Sequence, residues 1–213
     1  MSGPPASHDD AAAFPTDAAL PAVAAWQHVE ARTGYEVVFF AAADDGLTID
    51  GTTTGTEDGI SWWVRFHIEL GPGWLTRRAE VEGRSPAGSH RRTLEVDALG
   101  RWLVDGTRRP DLDGCVDIDL ESSACTNTVP IHRLGLGPGQ VVDAPAAYVR
   151  ADDLQVERLE QRYRLGPTQH NGLGGHDTWR LGYQAPRFDA DFDLVLDPHG
   201  LVLEYPHLAL RAT

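Results

Sequence analysis

Residues 61–70 read SWWVRFHIEL, and their polarity alternates without a break. Trp62, Val64, Phe66, Ile68 and Leu70 fall on one side, and Ser61, Trp63, Arg65, His67 and Glu69 on the other. Successive side chains of an extended chain point to opposite faces, so this is a strand with one apolar and one polar face. The same period returns at 188–197, FDADFDLVLD, where Phe188, Ala190, Phe192, Leu194 and Leu196 oppose Asp189, Asp191, Asp193 and Asp197. Shorter alternating runs lie at 75–82, 93–97, 116–121 and 201–205. In 154–165 the phase changes, with Leu154 and Val156 even and Leu159, Tyr163 and Leu165 odd, which predicts a bulge near Arg158. Turn residues punctuate the runs at Asp44-Asp45-Gly46, Gly71-Pro72-Gly73, Gly137-Pro138-Gly139 and Gly172 to Gly175. Many short strands with recurrent turns predict an all-β, antiparallel fold. Their alternation predicts a sheet with one wet face, on which the acidic positions lie.

Little else departs from this pattern. Trp26 and Val29, three apart, predict a short helix over 22–32 that Gly34 stops, the minor α content of the chain. Residues 1–20, rich in Pro, Ala and Asp, predict a disordered leader, which leaves 21–213 as a single domain. There is an internal echo between LEVDALGRWLVD (94–105) and LVLDPHGLVLEY (194–205). Leu94 and Leu194, Asp97 and Asp197, Gly100 and Gly200, and Leu103 and Leu203 match at an offset of 100. Turn chemistry alone recruits Asp and Gly to such D-x-x-G hairpins. The other reading is an old duplication, in which two related β units form one curved sheet.

Composition excludes several classes. The 213 residues carry 32 acidic and 18 basic side chains, a net charge of −14, and every basic one is arginine. A nucleic-acid binder needs a basic patch to neutralise phosphates, and an anionic membrane surface needs the same. No apolar run approaches the roughly 20 residues of a spanning helix, so the chain is not read as an integral membrane protein. The N-terminus has neither a basic n-region nor an apolar h-region, which predicts a cytoplasmic protein. Cys115 and Cys125 are too few for a disulfide framework or a four-thiolate zinc site, and are expected as buried thiols. His170 and His176 share a Gly-rich loop in an H-x5-H spacing that is a poor metal signature, so no metal and no cofactor are expected.

The stretch 111–134, DLDGCVDIDLESSACTNTVPIHRL, breaks the alternation. A strand over 116–121 leads into Thr126-Asn127-Thr128-Val129-Pro130-Ile131-His132-Arg133-Leu134. Short polar side chains there bond local backbone, Pro130 favours an extended Val129, and Arg133 offers a five-donor fork. The order D-L-x-G-C-x-D-I-D-L, T-N-T-x-P-I-x-R-L, a late Gln161-to-Tyr163 Q-x-Y and a terminal D-x-x-G-x-V-x-x-Y-P resembles the bacterial "putative glycolipid-binding" family. The resemblance covers roughly residues 22–210. It departs at His132-Arg133, where the family has an arginine pair, and in a longer loop over 166–177. It implies a spiral β-roll, a strongly curved antiparallel sheet similar to the half-open barrels of bacterial lipoprotein carriers.

An open roll with an apolar concave face would leave a groove for an acyl chain, with polar groups at its mouth for a head group. Asn127, Arg133 and Tyr163 are the candidates for that mouth. Trp62, on the core face, and Trp63, on the opposite face, are candidates for ligand contact, since indoles stack on sugars and lipids. The leading reading is thus a non-catalytic binding protein for an amphipathic small molecule, a glycolipid in the family's terms. Asp117 and Asp119 share a strand face, and a carboxylate pair suits glycoside chemistry. A hydrolase using Asp117 or Asp119 with a nearby His or Arg is therefore the rival, although acidic alternation also marks a solvated face. A third reading is an acidic interaction module for a basic partner.

Overall fold

The computed structural model describes Phe14 and residues 19–121, 123–169 and 177–212. The loop holding His170, His176 and Gly172 to Gly175 lies outside the described residues. The first meander comprises β1 (Val23–His28), β2 (Gly34–Ala43), β3 (Gly46–Glu57), β4 (Ile60–Leu70), β5 (Thr76–Ser85), β6 (Gly88–Val96), β7 (Trp102–Val104) and β8 (Thr107–Arg108). A central segment follows, with β9 (Asp117–Leu120), helix α1 (Thr128–Leu134), β10 (Val141–Asp143), β11 (Ala146–Val149) and β12 (Val156–Leu159). The second meander is β13 (Arg162–Gln169), β14 (Thr178–Ala185), β15 (Ala190–Leu196), β16 (Val202–Tyr205) and β17 (Ala209–Arg211).

Both meanders belong to one 14-stranded antiparallel sheet, because β17 pairs with β1, Trp26 opposite Arg211 and His28 opposite Ala209. Its edge strands, β10 and β8, do not pair with each other among the described residues, so the sheet is strongly curved but open. A second sheet, in the order β12-β11-β9, has β11 parallel to β9 and antiparallel to β12.

Strand β4 behaves as its alternation requires, with Trp62, Val64, Phe66, Ile68 and Leu70 all buried. Its large rings find room because β3 presents glycine opposite them. Gly51 faces Phe66 and Gly55 faces Trp62 across the ladder. A Cβ on Gly51 would lie 2.0 Å from Phe66 Cζ, and one on Gly55 2.3 Å from Trp62 Cζ2. Each ring covers the bare backbone of its partner glycine, an arrangement that pins the register. Gly51→Ala is expected to cost about 1–3 kcal/mol through overpacking, read as a lower urea midpoint at unchanged slope. An unshifted midpoint would show that the Phe66 ring can move aside.

Three expectations are corrected. The segment 22–32 forms β1, not a helix. Ala24, Trp26 and His28 are buried in alternation, and Trp26 Nε1 donates to the Val202 carbonyl at 2.7 Å, tying the two meanders together. The phase change in 154–165 is not a bulge near Arg158. Val156 and Leu159 both lie in β12, which pairs with β11 in unbroken register and buries one side chain in each core, while Tyr163 and Leu165 follow on β13 in the other sheet. Val129 is helical rather than extended. Pro130 falls in the first turn of α1, where a missing N–H costs no helical bond, and a residue before proline is biased against helix, not barred from it.

The echoed turns have matching hydrogen bonds. Asp97 Oδ1 accepts from the Leu99 and Arg101 amides at 2.9 and 3.0 Å, and Asp197 Oδ1 from those of His199 and Leu201 at 2.8 and 2.9 Å. Gly100 and Gly200 close them at φ 73° and 74°, where glycine alone is unstrained.

The central segment fills the concave side. Ile118, Leu120, Val129, Ala147 and Val149 join the inward residues of the first meander in one core. Ile131, Tyr148 and Leu159 join Tyr163, Leu181, Tyr183 and Leu194 of the second meander in another. The small sheet is therefore covered on both faces. Of the stretch read as a leader, Phe14, Ala19 and Leu20 are described, and Phe14 is buried edge-on to Trp179 and His132 with ring centroids 5.5 and 5.8 Å away.

Candidate functional site

This layering decides the fate of the acidic positions. Along β15 the alternation means what it predicts, and Asp191 and Asp193 are exposed. Along β9 it does not, because all four residues are buried. Ile118 and Leu120 face the first core, while Asp117 and Asp119 face the second half of the molecule rather than water. The wet-face reading of this strand is overturned by the second meander, which folds over it.

Each carboxylate is handled differently. Arg133, on the last turn of α1, grips Asp117 bidentately, Nε to Oδ1 at 2.7 Å and Nη2 to Oδ2 at 2.6 Å. The Asp117 side chain is 1% exposed and that of Arg133 16%. Burial pushes the Asp117 carboxyl up, and the guanidinium pulls against that. Asp119 has no such partner. Thr126 Oγ1 donates to its Oδ1 at 2.9 Å, and burial, helped by Asp117 and Glu121, pushes it up to about 6. The free cysteines are both buried, and desolvation raises both thiols.

A third buried acid, Glu36 on β2, was missed in the sequence. It accepts hydrogen bonds from Ser123 Oγ and from the Ala124 amide at 2.8 Å, which moors the loop after β9 to the first meander. Burial drives its carboxyl up to about 7. Parity points the wrong way here, since Tyr35, Val37 and Phe39 make the other face of GYEVVFFAAA the more apolar, yet they are exposed and Glu36, Val38 and Phe40 are buried.

Between the second meander and the central segment lies a cavity of ≈ 640 Å³. Its walls are aromatic, with Tyr148 from β11, Tyr183 from β14, Phe192 from β15, Tyr205 from β16 and Phe188 from the turn before β15. Asp119, Ser123 and Asn127 also line it. Glu121, Asp189, Asp191, the Arg32–Glu57 pair and His207 supply its other charged and titratable groups. Tyr183, Phe192 and Tyr205 stand together because β14, β15 and β16 are neighbours, with ring centroids 5.5–6.1 Å apart. Burial raises the hydroxyls of Tyr183 and Tyr205, which therefore remain protonated donors.

Of the five candidates for ligand contact, Asn127 lines this cavity, as does Asp119 from the hydrolase reading. Tyr163 stands behind it, donating its hydroxyl to Asn127 Oδ1 at 2.9 Å. Arg133 is committed to Asp117. Trp62 lies in the first core, with the Arg32 guanidinium 5.5 Å over its ring, and borders a smaller cavity of ≈ 320 Å³ with Glu121 and Arg150. Trp63 is half-buried on the opposite face of β4, between Thr54 and Arg84. The cavity's tyrosines were not singled out, because Tyr148, Tyr183 and Tyr205 sit on three separate strands and converge only after folding. Among the described residues, no group of three or more His, Cys, Asp or Glu side chains could hold a metal ion. None of the described helices is long and apolar enough to cross a membrane.

Fold and cavity together define an open β-roll whose hollow is filled by its own central segment, with an aromatic-walled pocket beside that segment. The chain belongs to the family described as "Putative glycolipid-binding", whose model matches residues 23–211. A crystal structure of a DUF1089 family protein from Pseudomonas aeruginosa is similar, with 28% identity and a TM-score of 0.65 over 83% of this chain and 92% of that one. A β-barrel-like protein of the DUF1849 domain of unknown function from Brucella abortus shares the fold, at 10% identity and a TM-score of 0.51 over 89% and 92% of the two chains. No curated protein matches the chain.

Proposed function

We propose that this protein binds an amphipathic ligand, a glycolipid, without chemistry on it, and that the ≈ 640 Å³ cavity receives the glycosyl head group. The observation that carries this reading is the cavity's lining. Tyrosine and phenylalanine rings offer flat faces to a sugar ring, while Asn127, Asp119 and Glu121 supply the few convergent polar groups that orient a ligand. The family's description agrees in kind. The concave face itself is not an empty acyl groove, since the central segment fills it, so an acyl chain would leave the cavity along the surface. Native mass spectrometry of gently purified protein, followed by solvent extraction, is expected to find an amphiphile. Protein that is empty and stays empty when titrated with an alkyl glycoside would overturn the reading.

One observation favours a hydrolase instead. Asp119, held at about 6 by burial, has the character of a general acid, and Glu121 lines the same cavity. Asp117 is excluded from that role by its bidentate bond to Arg133. Release of free sugar from an alkyl glycoside, abolished by Asp119→Asn, would establish this second reading.

A further inference from the structure

The charges around the cavity do not cancel. Of its two basic side chains, Arg32 pairs with Glu57 at 3.4 Å and His207 with Glu30. Asp119, Glu121, Asp189 and Asp191 line the same space, and among the described residues none of the four forms an ion pair within 4.0 Å, although Arg150 and Arg187 act on Glu121 from farther off and Asp189 and Asp191 stand exposed at the rim. Elsewhere this protein matches acid with arginine readily, as in Arg77–Asp45, Arg101–Asp97, Arg162–Asp143 and the buried Arg133–Asp117. Asp119 is the deepest of the four, 9% exposed, and its hydrogen bond from Thr126 engages only Oδ1. A buried carboxylate without a counter-charge is costly, and a ligand that brings one removes that cost.

The walls point the same way. Aromatic faces attract cations. Two of these rings already do so within the fold, for the Arg187 guanidinium carbon lies 5.8 Å from the Tyr148 ring centroid and 5.6 Å from that of Phe188. An anionic head group would meet Asp119, buried without a counter-charge, and three further carboxylates around it. A neutral sugar would satisfy their hydrogen-bonding capacity but leave the charge. A protonated amine satisfies both, through a charge-assisted bond to Asp119.

We propose that the cavity selects a head group bearing a protonated amine, an amino sugar in the glycolipid reading, with Asp119 as the partner of the ammonium. This rests on the binding function proposed above and adds the charge class of the ligand. The test uses three amphiphiles that share chain and ring: octyl glucoside, octyl 2-amino-2-deoxyglucoside and octyl glucuronide. Each is titrated calorimetrically into the full chain at pH 7 and low salt, below its micelle concentration. The amino glycoside is expected to bind roughly tenfold or more tighter than the neutral one, with the glucuronide weakest. In Asp119→Asn the ratio of amino-glycoside to neutral-glycoside affinity is expected to fall to about one, the neutral glycoside serving as the reference for any general loss of binding. Equal or tighter binding of octyl glucoside to the unaltered protein would overturn the charge assignment and leave the glycolipid reading standing. Failure of all three to bind would overturn both. A preference that survives in Asp119→Asn would move the ammonium away from Asp119 and overturn the proposal as stated.

Discussion

Arg133→Ala is expected to destabilise the protein by about 3–5 kcal/mol, the largest single-residue effect in the site. The reason is what it leaves behind. Asp117 is 1% exposed at its side chain, and without the fork of Arg133 it becomes an uncompensated buried acid. Asp117 then holds its proton, because the cause that raises it, burial, remains while the cause that lowers it is gone. Urea unfolding at pH 7 checks the size. A joint Asp117→Leu, Arg133→Met replacement is expected to recover most of the loss, since a buried pair is worth little more than apolar residues of similar volume. The ligand titration separates this role from binding. Because Arg133 points at β9 and does not line the cavity, the folded fraction of Arg133→Ala is expected to keep wild-type affinity for octyl glucoside. A stability loss below 1 kcal/mol with a large affinity loss would return Arg133 to the ligand.

The second large effect is a fall in stability between pH 5 and pH 8. Glu36 has an ordinary value of 4.5 and a folded value of about 7. Below 4.5 both states are protonated and the full stability is present. As pH rises, the unfolded chain ionises while the folded chain keeps its proton, so stability drains away until the pH passes 7. A raised carboxylate of this size corresponds to about 3 kcal/mol across the window. Asp119, raised from 3.8 to about 6, acts in the same direction over a lower window. Exposed pairs work oppositely at the acid end: Asp97, held down to about 2 chiefly by Arg101, loses its contribution as pH falls below 3.8. Glu36→Gln keeps an acceptor for the Ala124 amide and a partner for Ser123 but cannot ionise. It is expected to flatten the upper part of the profile and to be the more stable protein at pH 8, as read from urea midpoints at several pH values. A wild-type profile that stays flat from pH 5 to pH 8 would show that Glu36 reaches solvent.

Much of the fold is legible in the chain because a strand's period is local. SWWVRFHIEL and FDADFDLVLD declare which side chains turn inward, and the D-x-x-G turns declare where strands reverse. The same rule misled at 22–32, where Trp26 and Val29 satisfy a helical spacing while Ala24, Trp26 and His28 satisfy the strand period that the β17 and β2 pairings reward. It misled again at 154–165, since two apolar phases look alike in sequence whether a strand is bulged or, like β12, is covered on both faces. The candidate site was partly legible. Asn127 and Tyr163 were found from the T-N-T motif and its company, and they bond to each other. Glu36 was not legible by parity, because Tyr35, Val37 and Phe39 make the opposite face of β2 look like the core side. Nor were the aromatic walls, because Tyr148, Tyr183, Phe192 and Tyr205 are dispersed among alternating strands that each look ordinary.

The sequence by itself determined the class of fold, the inward faces of the long strands, and the family. Only the tertiary structure decided what the charge of −14 means at each place. Alternation says that two faces of a strand differ; it does not say what covers the second face. On β15 that face meets water, and its aspartates are a solvated surface. On β9 it meets the second meander, and the same pattern becomes one locked ion pair and one carboxylate left unmatched in an aromatic cavity. Burial is set by packing between segments far apart in the chain, and it turns one aspartate into structure and its neighbour into a candidate binding group.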